Sequence, residues 1–427
     1  MADITIANLF YSAAAGKNGY IPIGPLYIVS VLEQEGFDVD FRDYQVAAPN
    51  RADPMNPDSI AAFLEDSADI VGIGCAGEFL PAALLAVERL KGADPRKVVI
   101  LGGIGPSGAA EEIVRHFPDV DCVVVGEGEQ SALELMERIA GNRGDVPKIV
   151  SPGGRIKSPD KLPFPAYHRV RIADYAHAGV YSARGCPYTC AFCDVAPFWG
   201  GEYKARSVGN LVDEIEMLAR VFGRRSFDIM DDIFVLDRER AMDFCRELRR
   251  RDLDIQWACC GRIDLMDEDM MKEMAESGCS WVFYGIESGA DEVLKAMDKG
   301  FTVAEVRRVV EMSRRFVGVV ASLMWGFPQE GAADFDATVE LIYLLRDLGC
   351  GVDLYRLVPL PMSPLYKEYA GGLAAAPDTC RRVFKERAEG MEAFVRRFPG
   401  VSNWYYRYPT PAYEYKAGVV DRLELSS

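Results

Sequence analysis

Apolar strand-like segments alternate with helical segments twice along the chain, and this double alternation limits the possible folds more than any other feature of the sequence. The first alternation occupies residues 1–145. Its predicted strands are 4–10, 38–42, 69–74, 97–101 and 121–125, and its predicted helices are 24–35, 80–91 and a segment starting at Ser131. Continuous apolar strands joined by helices are typical of a doubly wound parallel sheet, whose two faces are both covered. The sequence therefore predicts an α/β chain that begins with a Rossmann-like domain.

The second alternation begins at Gly179. Its predicted strands are 179–183, 226–230, 256–260, 281–284, 319–325 and 353–358, with helices between them such as 211–222, 238–250 and 267–276. Strand-helix units without reversal predict a parallel barrel, and we expect a partial TIM-like (β/α)6 barrel over 179–365. Residues 146–178, with turn-forming sequences at 151–154 and 162–165, are interpreted as a linker, and 366–427 as a small C-terminal piece rich in Arg and then in aromatic residues.

Charge and cysteine content exclude several classes of protein. The formal net charge of −17 disfavours nucleic acid as a partner, because the surface repels phosphates. No apolar run is long enough to span a membrane and the N-terminus does not resemble a signal peptide, so we expect a cytoplasmic protein. The 11 cysteines are an odd number in a large chain, which disfavours a disulfide framework.

Three cysteines lie in one short loop after the first strand of the second domain, in the sequence Arg184-Gly-Cys186-Pro-Tyr-Thr-Cys190-Ala-Phe-Cys193. Soft thiolates select zinc or iron-sulfur clusters. A structural zinc site needs four ligands, and no fourth Cys or His is near in sequence. A cube held by three cysteines leaves one iron open for a small molecule. Cys186, Cys190 and Cys193 are therefore the predicted metal ligands and catalytic centre.

The Cys-x3-Cys-x2-Cys spacing, with Phe192 before the third cysteine, resembles the motif of the radical S-adenosylmethionine (SAM) superfamily. The resemblance implies a [4Fe-4S] cluster that binds the amine and carboxylate of SAM. One electron then cleaves SAM into methionine and a 5′-deoxyadenosyl radical. It also implies an external one-electron reductant of the flavodoxin or ferredoxin type and a small-molecule substrate.

Further segments resemble SAM-contacting elements of this superfamily at the ends of successive predicted strands. The resemblance places the acids after the second strand near the SAM amine, Gly285-Ile-Glu-Ser288 near the ribose or methionine, and the turn Gly326-Phe-Pro-Gln-Glu330 near the adenine. An arginine beyond the third strand is a candidate for binding a carboxylate. The SAM-binding candidates are Phe192, Asp231, Asp232, Arg262, Glu287, Ser288 and Gly326.

The first domain resembles the cobalamin-binding subgroup of that superfamily. The resemblance rests on Ile23-Gly-Pro-Leu26, Asp69-Ile-Val-Gly72, Leu101-Gly-Gly103 and Val125-Gly-Glu-Gly-Glu129. Glycines after strands allow a flat corrin to approach the backbone, and the loop 75–79 is expected beneath it. The cobalamin-binding candidates are Cys75, Gly102, Gly103, Gly126 and Glu127. The Asp-x-His-x-x-Gly element that supplies an axial histidine is absent, and His116 is interpreted as a packing or surface residue.

These observations favour a cobalamin-dependent radical SAM methyltransferase that acts on an unactivated carbon of a small molecule. A non-methylating cyclisation or rearrangement with the same cofactors remains an alternative. A non-enzymatic iron-sulfur redox sensor is a second alternative, which the intact SAM elements disfavour.

Overall fold

The structure is a computed structural model that describes residues 2–10, 13–14, 17–48, 51–141, 146–151 and 156–423. The chain forms two compact units. The first comprises Met1–His177 with Ala375–Tyr406, and the second comprises Ala178–Ala374 with Arg407–Ser427. No helix among the described ranges has the length and apolar character needed to cross a membrane.

A six-stranded parallel sheet forms the centre of the first unit. Its strands are β1 (Ile4–Leu9), β2 (Val39–Asp43), β3 (Ile70–Cys75), β4 (Val98–Gly102), β5 (Cys122–Val124) and β6 (Ile149–Val150), in the spatial order β2-β1-β3-β4-β5-β6. The chain runs from β1 outward to β2 and then returns to the other side of β1, as in a doubly wound sheet. This confirms the predicted fold class of the first domain.

Helices flank this sheet. They are α1 (Ile23–Gln34), α2 (Pro57–Leu64), α3 (Leu80–Ala93), α4 (Ala110–His116) and α5 (Glu129–Ala140), with one-turn helices at Tyr44–Ala47 and Ile104–Gly108. The start of α2 follows from the local sequence, because Asn56 accepts the backbone N–H groups of Asp58 and Ser59 and Pro57 occupies the first turn. Leu26 and Val29 of α1 are fully buried, which fixes the face that packs inward.

The second unit contains another six-stranded parallel sheet, with its strands in sequence order. They are β7 (Gly179–Val180), β8 (Ser226–Ile229), β9 (Gln256–Gly261), β10 (Cys279–Glu287), β11 (Gly318–Trp325) and β12 (Gly351–Arg356). The helices between them are α6 (Val208–Phe222), α7 (Arg238–Arg250), α8 (Glu268–Glu276), α9 (Asp291–Ala296), α10 (Val303–Ser313) and α11 (Ala332–Asp347), with a short helix at Val195–Trp199. This is the expected β/α architecture of a partial barrel.

The predicted linker belongs largely to the first compact unit, and the predicted C-terminal piece is divided between the two units. Residues 146–177 belong to the first unit and contribute β6, whereas Pro152–Gly154 of the predicted turn lie outside the described residues. The C-terminal helices are α12 (Pro364–Tyr369), α13 (Pro377–Phe384), α14 (Ala388–Arg397) and α15 (Tyr413–Val420). The α13 and α14 helices belong to the first unit and α15 to the second, because their apolar side chains pack on different cores.

Short strands complete the structure. They are Ala13–Ala14, Lys17–Tyr20, Tyr175–His177, Ala183–Arg184, Lys204–Ala205, Ala374–Ala375 and Tyr406–Arg407. Ala183–Arg184 pairs antiparallel with Lys204–Ala205, immediately before the cysteine loop. This small hairpin holds the start of the predicted metal-binding segment.

Candidate active site

The cysteine loop begins at a position that only glycine can occupy. Gly185 has φ +87°, and a Cβ atom there would lie 2.0 Å from the carbonyl oxygen of Glu202. Both the left-handed conformation and the close backbone approach exclude a side chain. The chain can therefore turn sharply out of the short strand and present Cys186 in the following loop.

The rest of the loop is held by contacts with distant parts of the second unit. The N–H of Ala191 donates to the Met297 carbonyl at 3.0 Å, and the Ala191 carbonyl accepts the N–H of Leu365 at 2.8 Å. The Thr189 hydroxyl donates to the Asp298 carboxylate at 2.8 Å. Phe192 packs against an apolar cluster that includes Met297, so its observed contacts are those of an anchor for the loop.

The three cysteine thiols are partly exposed. Burial is the main cause that raises the pKa of the Cys186 thiol, and Cys190 adds to it. Burial also raises the pKa of the Cys193 thiol to about 12, and the other two cysteines of the loop add to that effect. Backbone N–H groups oppose this: Val195 donates to the Cys193 sulfur at 3.4 Å and Tyr188 donates to Cys186. Such donors stabilise thiolates and tune the potential of bound clusters.

This donor set fits a cluster with one open iron. Across the described ranges, no group of three or more His, Cys, Asp or Glu side chains is arranged around a single metal ion. The cysteines of an iron-sulfur cube each bind a different iron, so they need not converge on one point. Cys186, Cys190 and Cys193 would hold three irons of such a cube and leave the fourth free for SAM.

The two acids after β8 have different surroundings. Asp231 is buried and accepts the N–H groups of Ser182 at 2.7 Å and Ala183 at 2.9 Å, and also the Ser182 hydroxyl. It therefore fixes the chain just before the cysteine loop. Asp232 is accessible to solvent but enclosed by protein atoms, which raise the pKa of its carboxyl to about 6, while the Gly185 N–H and the Trp199 side chain donate to it. Of the two, Asp232 has the carboxylate that can contact a ligand.

Glu287 ends β10 in a left-handed conformation, with φ +76°. Its carboxylate forms an ion pair with Lys299 at 3.1 Å, and both side chains are largely buried. A Cβ atom at Gly285 would lie 2.6 Å from the Glu287 Oε1 atom, so a side chain there would displace this carboxylate. The Lys299 ammonium lies 5.8 Å from the ring of Phe192, which places the Glu287–Lys299 pair beside the cysteine loop.

Ser288 and Gly326 have local structural roles. Ser288 is fully buried; its hydroxyl accepts the Ala290 N–H at 3.2 Å, near the start of α9, and contacts the Thr338 hydroxyl at 3.3 Å. Gly326, with φ +95°, donates its N–H to Glu330 at 2.8 Å. Glu330 is buried with Lys416 of α15 at 2.9 Å.

Arg262 supports the cysteine loop from the end of β9. Its guanidinium lies 3.7 Å from the ring centroid of Tyr188, donates to the Lys299 carbonyl and pairs with Asp264 at 2.7 Å. These contacts, together with those of Ala191 and Thr189, make the turn 297–300 the principal support of the loop. The sequence analysis did not find Lys299 or this turn. The sequence pattern that could have revealed this turn is Asp298-Lys-Gly300. In the structure, Asp298 and Gly300 both have positive φ.

The predicted cobalamin-binding residues meet at the carboxyl edge of the sheet in the first unit. A Cβ atom on Gly103, which has φ +94°, would lie 3.1 Å from the Cys75 carbonyl oxygen. Ser107 donates its hydroxyl to the Gly103 carbonyl at 2.7 Å and accepts the Gly126 N–H at 3.1 Å. The loops after β3, β4 and β5 thus form one connected surface made mainly of backbone.

The accessible part of this surface consists of glycine backbone and one apolar side chain. Gly102 is partly exposed, Gly103 is exposed, and the neighbouring Ile104 side chain is 42% exposed. Cys75 lies beneath it, where burial raises the pKa of its thiol to about 12. The Glu127 carboxylate is buried and accepts the Ile156 N–H at 3.3 Å. The glycine backbone fits a large flat ligand such as a corrin, with Cys75 and Glu127 supporting the loops.

Two family models match the chain in separate regions. Residues 180–342 match the radical SAM superfamily and residues 13–136 match the B12 binding domain. The chain therefore carries a radical SAM domain and a B12-binding domain. SAM, a [4Fe-4S] cluster and cobalamin are the cofactors that these assignments imply, in agreement with the sequence analysis.

Similar proteins include several methyltransferases. An uncharacterized methyltransferase of Pyrococcus horikoshii is 27% identical over 75% of this chain and 72% of its own length. Cytidylyl-2-hydroxyethylphosphonate methyltransferase of Streptomyces wedmorensis is 30% identical over 65% of this chain. Anaerobic magnesium-protoporphyrin IX monomethyl ester cyclase of Rubrivivax gelatinosus is 27% identical over 70% of this chain. The matches cover 63% and 58% of the last two relatives.

Solved structures share the fold. The radical SAM methyltransferase TsrM from Kitasatospora setae superposes with a TM-score of 0.70 at 20% identity, covering 88% of this chain and 81% of TsrM. The cobalamin-dependent SAM radical enzyme OxsB superposes with a TM-score of 0.68 at 16% identity, covering 98% of this chain and 65% of OxsB. Both comparisons confirm the predicted α/β architecture.

Proposed function

We propose that this protein is a cobalamin-dependent methyltransferase that uses SAM radical chemistry to methylate an unactivated carbon of a small molecule. The observation that carries the proposal is the rigidly supported three-cysteine loop at the carboxyl ends of barrel strands, in a chain whose other unit is a B12-binding domain. A cluster site alone would suit a redox sensor. A glycine surface for a corrin and an accessible acid beside the cysteines suit catalysis.

Each part of the site has a distinct role in this proposal. When bound, the cluster, SAM and cobalamin supply electron transfer, radical formation and methyl transfer. Cys186, Cys190 and Cys193 hold the cluster, and Asp232 accepts the ammonium group of SAM. The buried Glu287–Lys299 pair keeps the end of β10 fixed beside the loop, so that a ligand meets a preorganised surface.

The backbone around Gly103 forms the platform for the corrin in the first unit. Its exposed glycine and the partly exposed Ile104 side chain offer a flat apolar contact. No described histidine lies in the loops after β3, β4 and β5, so we propose that no imidazole from these loops ligates cobalt.

Turnover with methyl-labelled SAM tests the proposal. The full chain would be reconstituted anaerobically with iron, sulfide and cobalamin, reduced by flavodoxin or ferredoxin as the proposed external reductant, and incubated with a metabolite extract. We expect 5′-deoxyadenosine, S-adenosylhomocysteine and a labelled product heavier by one CH2 unit. A fully active enzyme that retains no corrin when supplied with it would reject the cobalamin-dependent mechanism.

A non-methylating ring closure is the second candidate, because the Rubrivivax gelatinosus relative is named as a cyclase. The same experiment separates the two functions. A cyclase would form 5′-deoxyadenosine without transferring the label to product. Intact SAM after incubation, with a fully loaded cluster and reductant present, would favour a redox sensor.

A further inference from the structure

The two faces of the sheet in the second unit differ in exposure. The face covered by helices is tightly packed: Trp257, Val282, Tyr284 and Val319 are all fully buried. The residues that alternate with them point to the opposite face, because successive side chains of a strand lie on opposite sides. These residues are partly or fully exposed, and they include Asp228, Cys260, Phe283, Met324, Asp353 and Tyr355. This second face is thus partly accessible, and it bears acids, a thiol and aromatic rings.

Four side chains of β11 and β12 lie side by side on this second face. Ser322 is paired in register with Asp353, and Met324 with Tyr355. Ser322 is buried, whereas the Tyr355 ring is 55% exposed and its hydroxyl is hydrogen-bonded to the Asp353 carboxylate two residues earlier. The accessible groups are therefore a carboxylate, a thioether and an exposed aromatic ring with its hydroxyl.

The same face also carries an acidic side chain near the opposite edge of the sheet, Asp228 of β8. Burial is the main cause that raises the pKa of the Cys260 thiol to about 12, and the nearby carboxylates of Asp231, Asp232 and Asp228 add to it. Basic side chains also lie near the carboxyl ends of the strands. Lys299 pairs with Glu287 and Arg262 pairs with Asp264, while Arg356 follows Tyr355 on β12 and so lies on the other face of the strand.

The net charge of the whole protein also favours a cationic ligand. A net charge of −17 attracts cations towards the surface and repels anions. An exposed tyrosine ring beside a carboxylate is a recurrent way to bind a cationic group, because the ring face and the acid both favour positive charge.

We propose that the substrate is a cationic molecule with a flat apolar portion, whose amine pairs with Asp353 and whose flat portion packs on Tyr355 and Met324. The inference rests on the proposed function, since it names the class of molecule that the enzyme would methylate. Phosphate esters and carboxylic acids without an amine are excluded from this class.

Three matched aromatic probes test the charge requirement on the reconstituted holoenzyme with SAM bound: naphthylethylamine, naphthylpropionate and naphthylpropionamide. They share one ring system and differ in charge. By calorimetry, we expect the amine to bind at least about tenfold more tightly than the carboxylate, with the neutral amide between them. Equal affinities, tighter binding of the carboxylate, or no binding of the amine would each overturn the proposal.

Substitutions test whether Asp353 and Tyr355 cause the preference for the amine probe. Asp353→Asn should weaken amine binding about tenfold and leave amide binding unchanged. Tyr355→Leu should weaken all three probes, whereas Tyr355→Phe keeps the ring and should retain amine binding. Asp254→Asn is the matched control, because it removes the same charge from an exposed residue between α7 and β9. If the control weakens amine binding as much as Asp353→Asn, the selectivity comes from overall charge and the proposed contact is wrong.

These measurements do not depend on methyl transfer. Selective amine binding without a methylated product would leave the inference standing and reject the proposed function. Methylation by the wild type of uncharged substrates as readily as of amines would support the function and reject the inference. Thermal unfolding of each variant shows whether the fold is intact.

Discussion

The two units have candidate ligand sites at the same kind of sheet edge, but these sites consist of different chemical groups. In the first unit, loops after parallel strands are joined through backbone contacts around Gly103 and through the Ser107 hydroxyl. In the second unit, the equivalent edge carries cysteines, an accessible acid and a buried ion pair. A flat platform requires the absence of side chains, whereas cluster and SAM binding require specific ones. One architecture can therefore serve two cofactors through its loops alone.

Loss of a cysteine would have the largest effect and would confirm that the second edge depends on side chains. Substitution of Cys186, Cys190 or Cys193 by alanine should abolish both cluster assembly and SAM cleavage, because each thiolate binds one iron. Iron content and 5′-deoxyadenosine formation measure this. Cys350→Ala is the control, since Cys350 lies before β12 at the opposite end of the strands. Full SAM cleavage by any one of the three loop variants would refute the assignment.

Breaking the Glu287–Lys299 pair should have the next largest effect. Glu287→Ala leaves a buried ammonium without its partner, which costs about 3–5 kcal/mol in the free energy of unfolding. Chemical denaturation of the variant measures this loss, and SAM binding should weaken as the end of β10 loosens.

The double variant Glu287→Gln with Lys299→Met is the matched comparison, because it removes both charges. It should recover most of the lost stability but not the affinity for SAM. If Glu287→Ala is as stable as the wild type, the pair does not support the loop.

Gly103→Ala tests whether the first edge depends on the absence of side chains. The substitution combines φ +94° with a Cβ atom 3.1 Å from the Cys75 carbonyl oxygen, and we expect a loss of about 1–3 kcal/mol in unfolding free energy. Cobalamin retention, measured by absorbance, should fall while the iron content of the other unit is unchanged. Gly92→Ala is the control in α3 of the same unit, since a Cβ atom there meets nothing within 4 Å. Normal corrin retention by Gly103→Ala would show that the platform lies elsewhere.

The smallest predicted effect is a dependence of stability on pH. It distinguishes the sheet edge of the second unit, which carries ionisable groups, from the glycine-rich edge of the first unit. Burial is the main cause that raises the pKa of Asp231 to about 6, so the folded state binds a proton more tightly than the unfolded state. Stability should therefore fall by about 1 kcal/mol as the pH rises from about 5 to about 7. The difference in unfolding free energy between wild type and Asp231→Asn isolates this contribution. A difference that stays constant across the range would contradict the raised pKa.

Much of the fold could be predicted because it depends on local patterns. The helix predicted over 238–250 has those bounds in the structure, and the twelve strands of the two large sheets include all eleven that apolar periodicity predicted. The additional strand, β6, has only two residues and contains too little sequence to show a period. The division of the C-terminal segment between the two units could not be predicted, because it depends on which core each helix contacts.

The candidate site was predictable to the extent that its residues are close in sequence. Cys186, Cys190 and Cys193 share one loop, so their spacing alone indicates their chemistry. Tyr188 and Arg262 contact each other across more than seventy residues of sequence, and no local pattern predicts such a contact. The different environments of Asp231 and Asp232 also depend on tertiary structure, since adjacent residues have the same local sequence context.

The sequence by itself determined the two parallel sheets, the candidate cluster cysteines and the glycine-rich edge, because strand periodicity, ligand type and glycine content are local properties. Only the tertiary structure decided which side chains support the candidate site and which remain accessible to a ligand. Lys299 has a buried carboxylate partner because the turn after α9 returns to the end of β10, and the Tyr355 ring is exposed on the strand that ends the sheet. Burial and charge pairing depend on contacts between distant segments, so they are settled only when the chain is folded.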